Sequence, residues 1–115
     1  MTIALVLFGL AALGGLTMAA MRLRGAERPP TGLALVHGAF AAAGLIALIV
    51  FVMGSANPGA ARTALLIFII AAVGGFYLFA QHMTKKALPI PVVVIHGLVA
   101  VVAFIILLMA VIQPR

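Results

Sequence analysis

Hydrophobic residues fill this chain in four long runs that short polar segments separate. The runs cover residues 1–21, 29–61, 63–84 and 87–114, and none of them contains a Lys, Arg, Asp or Glu. Each run reaches the roughly 20 residues that a helix needs to cross about 30 Å of hydrocarbon. Apolar and polar residues do not alternate with a period of two, as they would in membrane strands. The pattern therefore predicts an all-α, integral membrane four-helix bundle.

The predicted helices extend over about 2–21, 31–53, 63–83 and 89–112, within a single transmembrane domain, 1–115. The composition agrees, since 67% of residues are hydrophobic and the mean hydropathy is +1.42. Connections this short favour antiparallel neighbours in a bundle.

The formal net charge of +6 is concentrated between particular helices. Cytoplasmic loops of membrane proteins carry an excess of Lys and Arg. We therefore expect the two basic loops to face the cytoplasm and both termini to lie on the other side, in a bacterial inner membrane. The charge reports topology and does not indicate a nucleic-acid partner. The predicted cytoplasmic residues are Arg22, Arg24, Arg28, Lys85 and Lys86, with Glu27 among them, against Arg62 and Arg115 on the other side.

A tandem repeat organises the sequence. The segment AALGG at 11–15 recurs as AAVGG at 71–75, an offset of 60, and the pair His-Gly at 37–38 recurs at 96–97, an offset of 59. The predicted units are about 1–56 and 57–115. An even number of helices in each unit makes the repeats parallel, related by an axis along the membrane normal. Chance recurrence, or small residues that serve only helix packing, is the alternative.

Two histidines in the repeat carry the candidate chemistry. His37 and His96 each follow a proline by seven residues, which places them roughly 10 Å below the predicted cytoplasmic surface. An ionisable side chain at membrane depth is costly and is by default a functional-site hypothesis. The diglycines at 14–15 and 74–75 fall in about the same layer. One layer thus combines two imidazoles with two pairs of glycines, which have no side chain.

This layer suggests one haem b per chain, with His37 and His96 as its two axial ligands between helices 2 and 4. Small residues one turn further along, at Ala41 and Ala100, would leave a slot for the ring, as would Gly44 and Ala103 at the next turn. In architecture the chain resembles membrane b-type cytochromes, which ligate haem with histidines from separate helices. The resemblance implies electron transfer, with quinone or inside a larger redox complex.

Other interpretations stay open at this stage. Each histidine could hydrogen-bond a backbone carbonyl or the other histidine and only pin two helices, in a cofactor-free structural or accessory subunit. The imidazoles could instead bind a magnesium tetrapyrrole, or serve the transport of a small solute. A homo-oligomer is expected if the chain is not a subunit of a larger complex.

The third histidine, His82, lies at the predicted cytoplasmic end of helix 3, offset by 60 from Arg22. It is a candidate partner of a haem propionate, or a proton-carrying group at a quinone site. Tyr77, one turn before Gln81, could belong to the same pocket or to an interfacial aromatic belt. The expected donors to propionates are Arg22, Arg24, Arg28, His82, Lys85 and Lys86; for the lysines, plain interfacial basic residues are the alternative.

The residue inventory excludes several function classes. The chain has no Cys and no Asp, and Glu27 is its one acidic residue, in a loop. Neither a carboxylate pair nor a thiolate metal site can be built, so a stand-alone hydrolase or transferase is not expected. Length and helix count are similar to those of small multidrug resistance transporters. Those proteins use a membrane-embedded Glu in helix 1, which this chain lacks.

Overall fold

The computed structural model describes residues 1–113, which form four α-helices and no strand. All four helices are long and apolar enough to span a membrane. The all-α four-helix bundle expected from the hydrophobic runs is therefore confirmed. Arg115, which the sequence assigns to the end opposite the basic loops, lies outside the described residues. The helices are α1 (Thr2–Leu23), α2 (Thr31–Gly54), α3 (Ala60–Met83) and α4 (Ile90–Ile112).

Two helices extend beyond their apolar runs. α3 begins at Ala60, before the expected residue 63, and so includes Arg62, which is exposed. α1 continues to Leu23 and includes Arg22. A charged side chain ends an apolar run, but it does not break backbone hydrogen bonding, so the helix continues until its cap. The charge pattern therefore marks the boundary of the apolar run and not the end of the helix.

The helices pack in two hairpins. α1 packs most closely on α2 and α3 on α4, and the hairpins meet through α1 with α4 and α2 with α3. α1 is thus diagonal to α3, and α2 is diagonal to α4. The bundle measures 45 × 20 × 19 Å. We call the end that carries the loops 24–30 and 84–89 the basic end.

The two hairpins bury equivalent residues, as the sequence repeat predicts. In the first hairpin the helices bury Ala4, Phe8 and Ala11, then Gly44 and Leu48; in the second they bury Ala64, Phe68 and Ala71, then Ala103 and Leu107. The offsets are again 60 for the first helix of each pair and 59 for the second.

The loops at the basic end repeat as well. Gly25 and Lys85, again offset by 60, both have positive φ, at 112° and 59°. In each loop the following residue donates its backbone N–H to a carbonyl five residues earlier, which is the Schellman way of ending a helix. The repeat therefore extends to the backbone of the turns.

The core lies toward the end opposite the basic loops. Phe8 and Phe68 stack across the α1–α3 diagonal with ring centroids 3.7 Å apart. Beyond this stack the packing loosens: α1 buries no residue after Ala11, and α2 buries none before Gly44. In the same half, α3 buries only His82 after Ala71, and α4 buries only Val93 before Ala103. The half near the basic end is the more open half of the bundle.

Candidate functional site

The structure brings His37 and His96 together across the α2–α4 diagonal. Their ring centroids are 6.3 Å apart, and the two ring planes are nearly perpendicular, at 81°. Both side chains are half-buried. Within residues 1–113 the two imidazoles form no hydrogen bond with each other. The pair lies in the open half of the bundle, on the basic-end side of the phenylalanine stack.

Each imidazole is oriented by a backbone carbonyl of its own hairpin. His37 Nδ1 lies 2.7 Å from the Ala11 oxygen, and His96 Nδ1 lies 2.8 Å from the Ala71 oxygen. A carbonyl oxygen can only accept, so Nδ1 carries the proton and donates in both rings. The Nε2 atoms are left with a free lone pair, and neither has a hydrogen-bond partner among the described residues.

The diglycines lie against the imidazoles. A Cβ built on Gly15 would be 2.9 Å from His37 Cε1, and one on Gly75 would be 3.1 Å from His96 Cε1. Gly14 and Gly74 face the Cβ atoms of the same histidines at ordinary contact distances, 3.5 and 3.6 Å. The sequence suggests that these glycines make room for a macrocycle. In the structure they let each imidazole approach the neighbouring helix.

The small residues that follow the histidines separate into two groups. A Cβ on Gly44 would lie 3.2 Å from the Phe8 ring, and Ala103 is fully buried in the core. These positions therefore belong to the phenylalanine layer. Ala41 and Ala100 are half-buried, one turn from the histidines. Of the slot residues expected from the sequence, these two lie nearest the imidazoles along the helix.

His82 and Arg22 tie the hairpins together at the basic end. His82 is only 7% exposed, and its Nε2 lies 3.0 Å from the Thr31 hydroxyl at the start of α2. Its Nδ1 is buried and has no hydrogen-bond partner within residues 1–113. Arg22 donates from Nε to the Leu88 carbonyl, just before α4, at 2.7 Å. Equivalent residues of the repeat therefore each reach toward the second helix of the other hairpin.

The two basic loops also contact each other directly. Leu88 donates its backbone N–H to the Glu27 carbonyl at 3.0 Å, and Arg28 donates to the Lys85 carbonyl. Arg24 and Lys86 are exposed. Tyr77 accepts a hydrogen bond from Gln81 at 2.9 Å on the exposed face of α3, so the pair lies at the surface.

Thr31 and Leu88 carry no signal that sequence reasoning could use, because a threonine hydroxyl or a backbone carbonyl fits almost any site. The signal that was available is the offset of 60 between Arg22 and His82.

A small cavity of about 120 Å³ lies beside His96, between α3 and α4. It is mostly apolar, and the exposed residues Ile70 and Ile95 lie at its rim. At the equivalent place in the other hairpin, Phe40 takes the position of Val99. The side chain on the outer side of the site is therefore larger in the first hairpin, Phe40, than in the second, Val99.

Comparisons with protein-family models, with curated proteins and with solved structures find no match to this chain. Within residues 1–113, no group of three or more His, Cys, Asp or Glu side chains could hold a metal ion. The site consists of the two imidazoles, the carbonyls that orient them and the diglycines beside them.

Proposed function

We propose that this chain is a small membrane b-type cytochrome, with His37 and His96 as the axial ligands of one haem b. The separation of the two rings, 6.3 Å between centroids, supports it most directly. An imidazole nitrogen lies about 1 Å from its ring centre and binds a metal ion at about 2 Å, so two rings on opposite sides of one ion have centroids about 6 Å apart.

The carbonyl hydrogen bonds support the same assignment. A histidine that binds a metal almost always donates its other ring N–H to a carboxylate, a carbonyl or water, which fixes the tautomer and the ring orientation. His37 and His96 both do so, toward Ala11 and Ala71. Helix pinning would account for these bonds, but it leaves both Nε2 atoms without a role.

The open half of the bundle suits the haem ring, and the basic end suits the haem propionates. Only a few side chains are buried in the half that contains the imidazoles, so a broad ring would displace fewer packed side chains there than in the other half. Thr31 and its partner His82 lie about 9 Å from His37 along α2, by the rise per residue. Arg22 lies at the same end. We propose both side chains as propionate partners, because anionic carboxylates favour charge-assisted donors.

Held by His37 and His96, haem would supply reversible one-electron transfer. The chain holds the imidazoles in one tautomer, keeps the phenylalanine layer between the site and the opposite end, and presents cations at the basic end. We propose that the basic end faces the cytoplasm of a bacterium, with both termini outside the inner membrane.

A site near one face cannot move electrons across the membrane alone. We therefore propose quinone as the small redox partner, and either a homo-oligomer or a larger redox complex as the assembly.

The decisive experiment is a reduced-minus-oxidised absorption spectrum of protein expressed with adequate haem. We expect a low-spin b-type α-band in the wild type and its loss in both His37→Ala and His96→Ala, because each variant removes one axial ligand. Arg62→Gln, at the opposite end of the bundle, is the control variant and should keep the band. Loss of the band in His82→Ala, but not in the other two histidine variants, would mean that His82 is a ligand in place of the proposed pair.

A colourless wild-type protein would overturn the proposal in favour of a cofactor-free structural subunit. In that case His37→Ala and His96→Ala should each lower the free energy of unfolding by about 1 kcal/mol, the usual net contribution of one hydrogen bond. If the band is present, reduction by a short-chain quinol would support the proposed redox partner, and failure of every quinol tested would contradict it.

A further inference from the structure

We infer that His82 is a redox-linked proton site, which takes up one proton when one electron enters the cofactor and releases it when the electron leaves. The inference rests on the proposed function and adds a regulatory role for a side chain outside the axial pair. It starts from the one buried side-chain atom of the described residues that lacks a hydrogen-bond partner, the Nδ1 of His82.

The position of His82 favours a partner that the protein itself does not supply. The side chain is 7% exposed, and Thr31 engages only its Nε2, at 3.0 Å. A buried polar atom left without a hydrogen-bond partner is unfavourable, so a group that pairs with Nδ1 would be stabilised there. A propionate oxygen reaching the basic end would accept a hydrogen bond from a protonated Nδ1. The hydroxyl of Thr31 can accept from Nε2–H at the same time, so both ring nitrogens of an imidazolium would be satisfied.

The internal repeat explains why this proton site is single. The residue equivalent to His82 is Arg22, which stays protonated at any physiological pH and donates to the Leu88 carbonyl. Histidine is the side chain whose charge ordinarily changes between about pH 5 and about pH 8. One hairpin therefore presents a fixed cation at the basic end, and the other presents a switchable one.

The remaining charged groups at this end cannot replace His82 in that role. They are Arg22 from α1, Arg24, Glu27 and Arg28 from the first loop, and Lys85 and Lys86 from the second. α2 contributes only the neutral Thr31, and α4 begins with Pro89 and Ile90. Among the described residues, none of these side chains has a buried nitrogen or oxygen without a hydrogen-bond partner, and Glu27 is exposed.

Electrostatics determines how reduction of the cofactor and protonation of His82 affect each other. An electron adds one negative charge to the cofactor, which favours the imidazolium form of His82, and the proton comes from water on the basic side. Reduction is then easier at low pH, so the midpoint potential falls as pH rises. For one proton per electron the slope approaches about 59 mV per pH unit.

The test is a potentiometric titration of the haem-loaded protein at several pH values, in the wild type, His82→Gln and His82→Arg. We expect a sloped potential in the wild type and a flat one in both variants, with the His82→Arg potential above that of His82→Gln because a fixed cation favours the electron. Arg62→Gln, at the opposite end, should keep the wild-type slope and controls for loss of a cation.

A second measurement uses the same samples. Redox-difference infrared spectra of samples matched for haem content should contain imidazole bands, shifted by ¹⁵N-histidine labelling, that His82→Gln removes. A slope that both His82 variants retain would overturn the inference and leave the cytochrome proposal intact. Absence of an α-band in the wild type would instead overturn the proposed function, and this inference with it.

Discussion

Gly15 determines where the His37 ring can lie. The imidazole is held between the Ala11 carbonyl, at 2.7 Å, and the space above Gly15, where a Cβ would be 2.9 Å from Cε1. Contacts that close do not occur in real structures, and the neighbour here is a ring with one hydrogen bond already fixed. The absence of a side chain at this position is therefore a condition for the observed orientation.

Under the proposed function, Gly15→Ala should weaken haem binding by about 10-fold or more, the range seen when groups that orient a metal ligand are changed. The added methyl displaces the ring from the Ala11 carbonyl. The measurement is a titration of haem into apoprotein in detergent. Gly14→Ala is the matched control, because its Cβ would meet His37 Cβ at an ordinary 3.5 Å. Equal affinity of the two variants would contradict the role given to Gly15.

The roles and contacts of individual residues could be predicted from the sequence to different degrees. His37 and His96 stand out because an imidazole in an apolar run is rare and costly. The contacts of the diglycines were not predictable, since depth along a helix says nothing about which neighbour faces a residue. The partner of His82, Thr31, is on another helix and shares no sequence pattern with it.

At the scale of elements, a different pair of side chains connects each helix diagonal, and the two pairs lie at different depths in the bundle. Phe8 and Phe68 join α1 to α3, and His37 and His96 join α2 to α4. Gly44 admits the Phe8 ring, since a Cβ there would lie 3.2 Å from it. The aromatic pair thus lies on the side of the histidine layer that faces away from the basic end.

Phe8→Ala should destabilise the bundle by about 3 kcal/mol, the low end of the range for buried Phe→Ala changes, because lipid already solvates apolar side chains of separated helices. The loss is one of packing, measured by unfolding in mixed detergent micelles. Phe76→Ala, on a side chain that is 73% exposed, controls for loss of an aromatic ring and should change stability little. Similar effects of the two variants would contradict the stack as a core element.

The helices themselves were largely predictable, because apolar runs of membrane length have few alternatives. The stack was not, since Phe8 looks like any other apolar residue of α1. Its repeat partner Phe68, at an offset of 60, was the available signal.

For the whole molecule, the charge distribution predicts an orientation that labelling can test. The chain has no Cys, so single-cysteine variants report one position each. Ala56→Cys and Ala87→Cys replace exposed alanines at opposite ends of the bundle. An impermeant thiol reagent added outside cells should label position 56 and spare position 87 until the membrane is permeabilised. Labelling of both from outside would contradict the four-span topology, and labelling of 87 alone would invert it.

The short link between the hairpins has a consequence for the symmetry of the molecule. Because the repeats are parallel, a linker of a few residues after Gly54 suffices to join two copies without inverting either one. Two separate copies of a single hairpin would form a homodimer in which every residue on the axis faces its own duplicate. Such a homodimer would carry two arginines or two histidines at the basic end, never one of each. Two hairpins within one chain are free of that constraint, and the equivalent positions differ as Arg22 and His82, and as Phe40 and Val99.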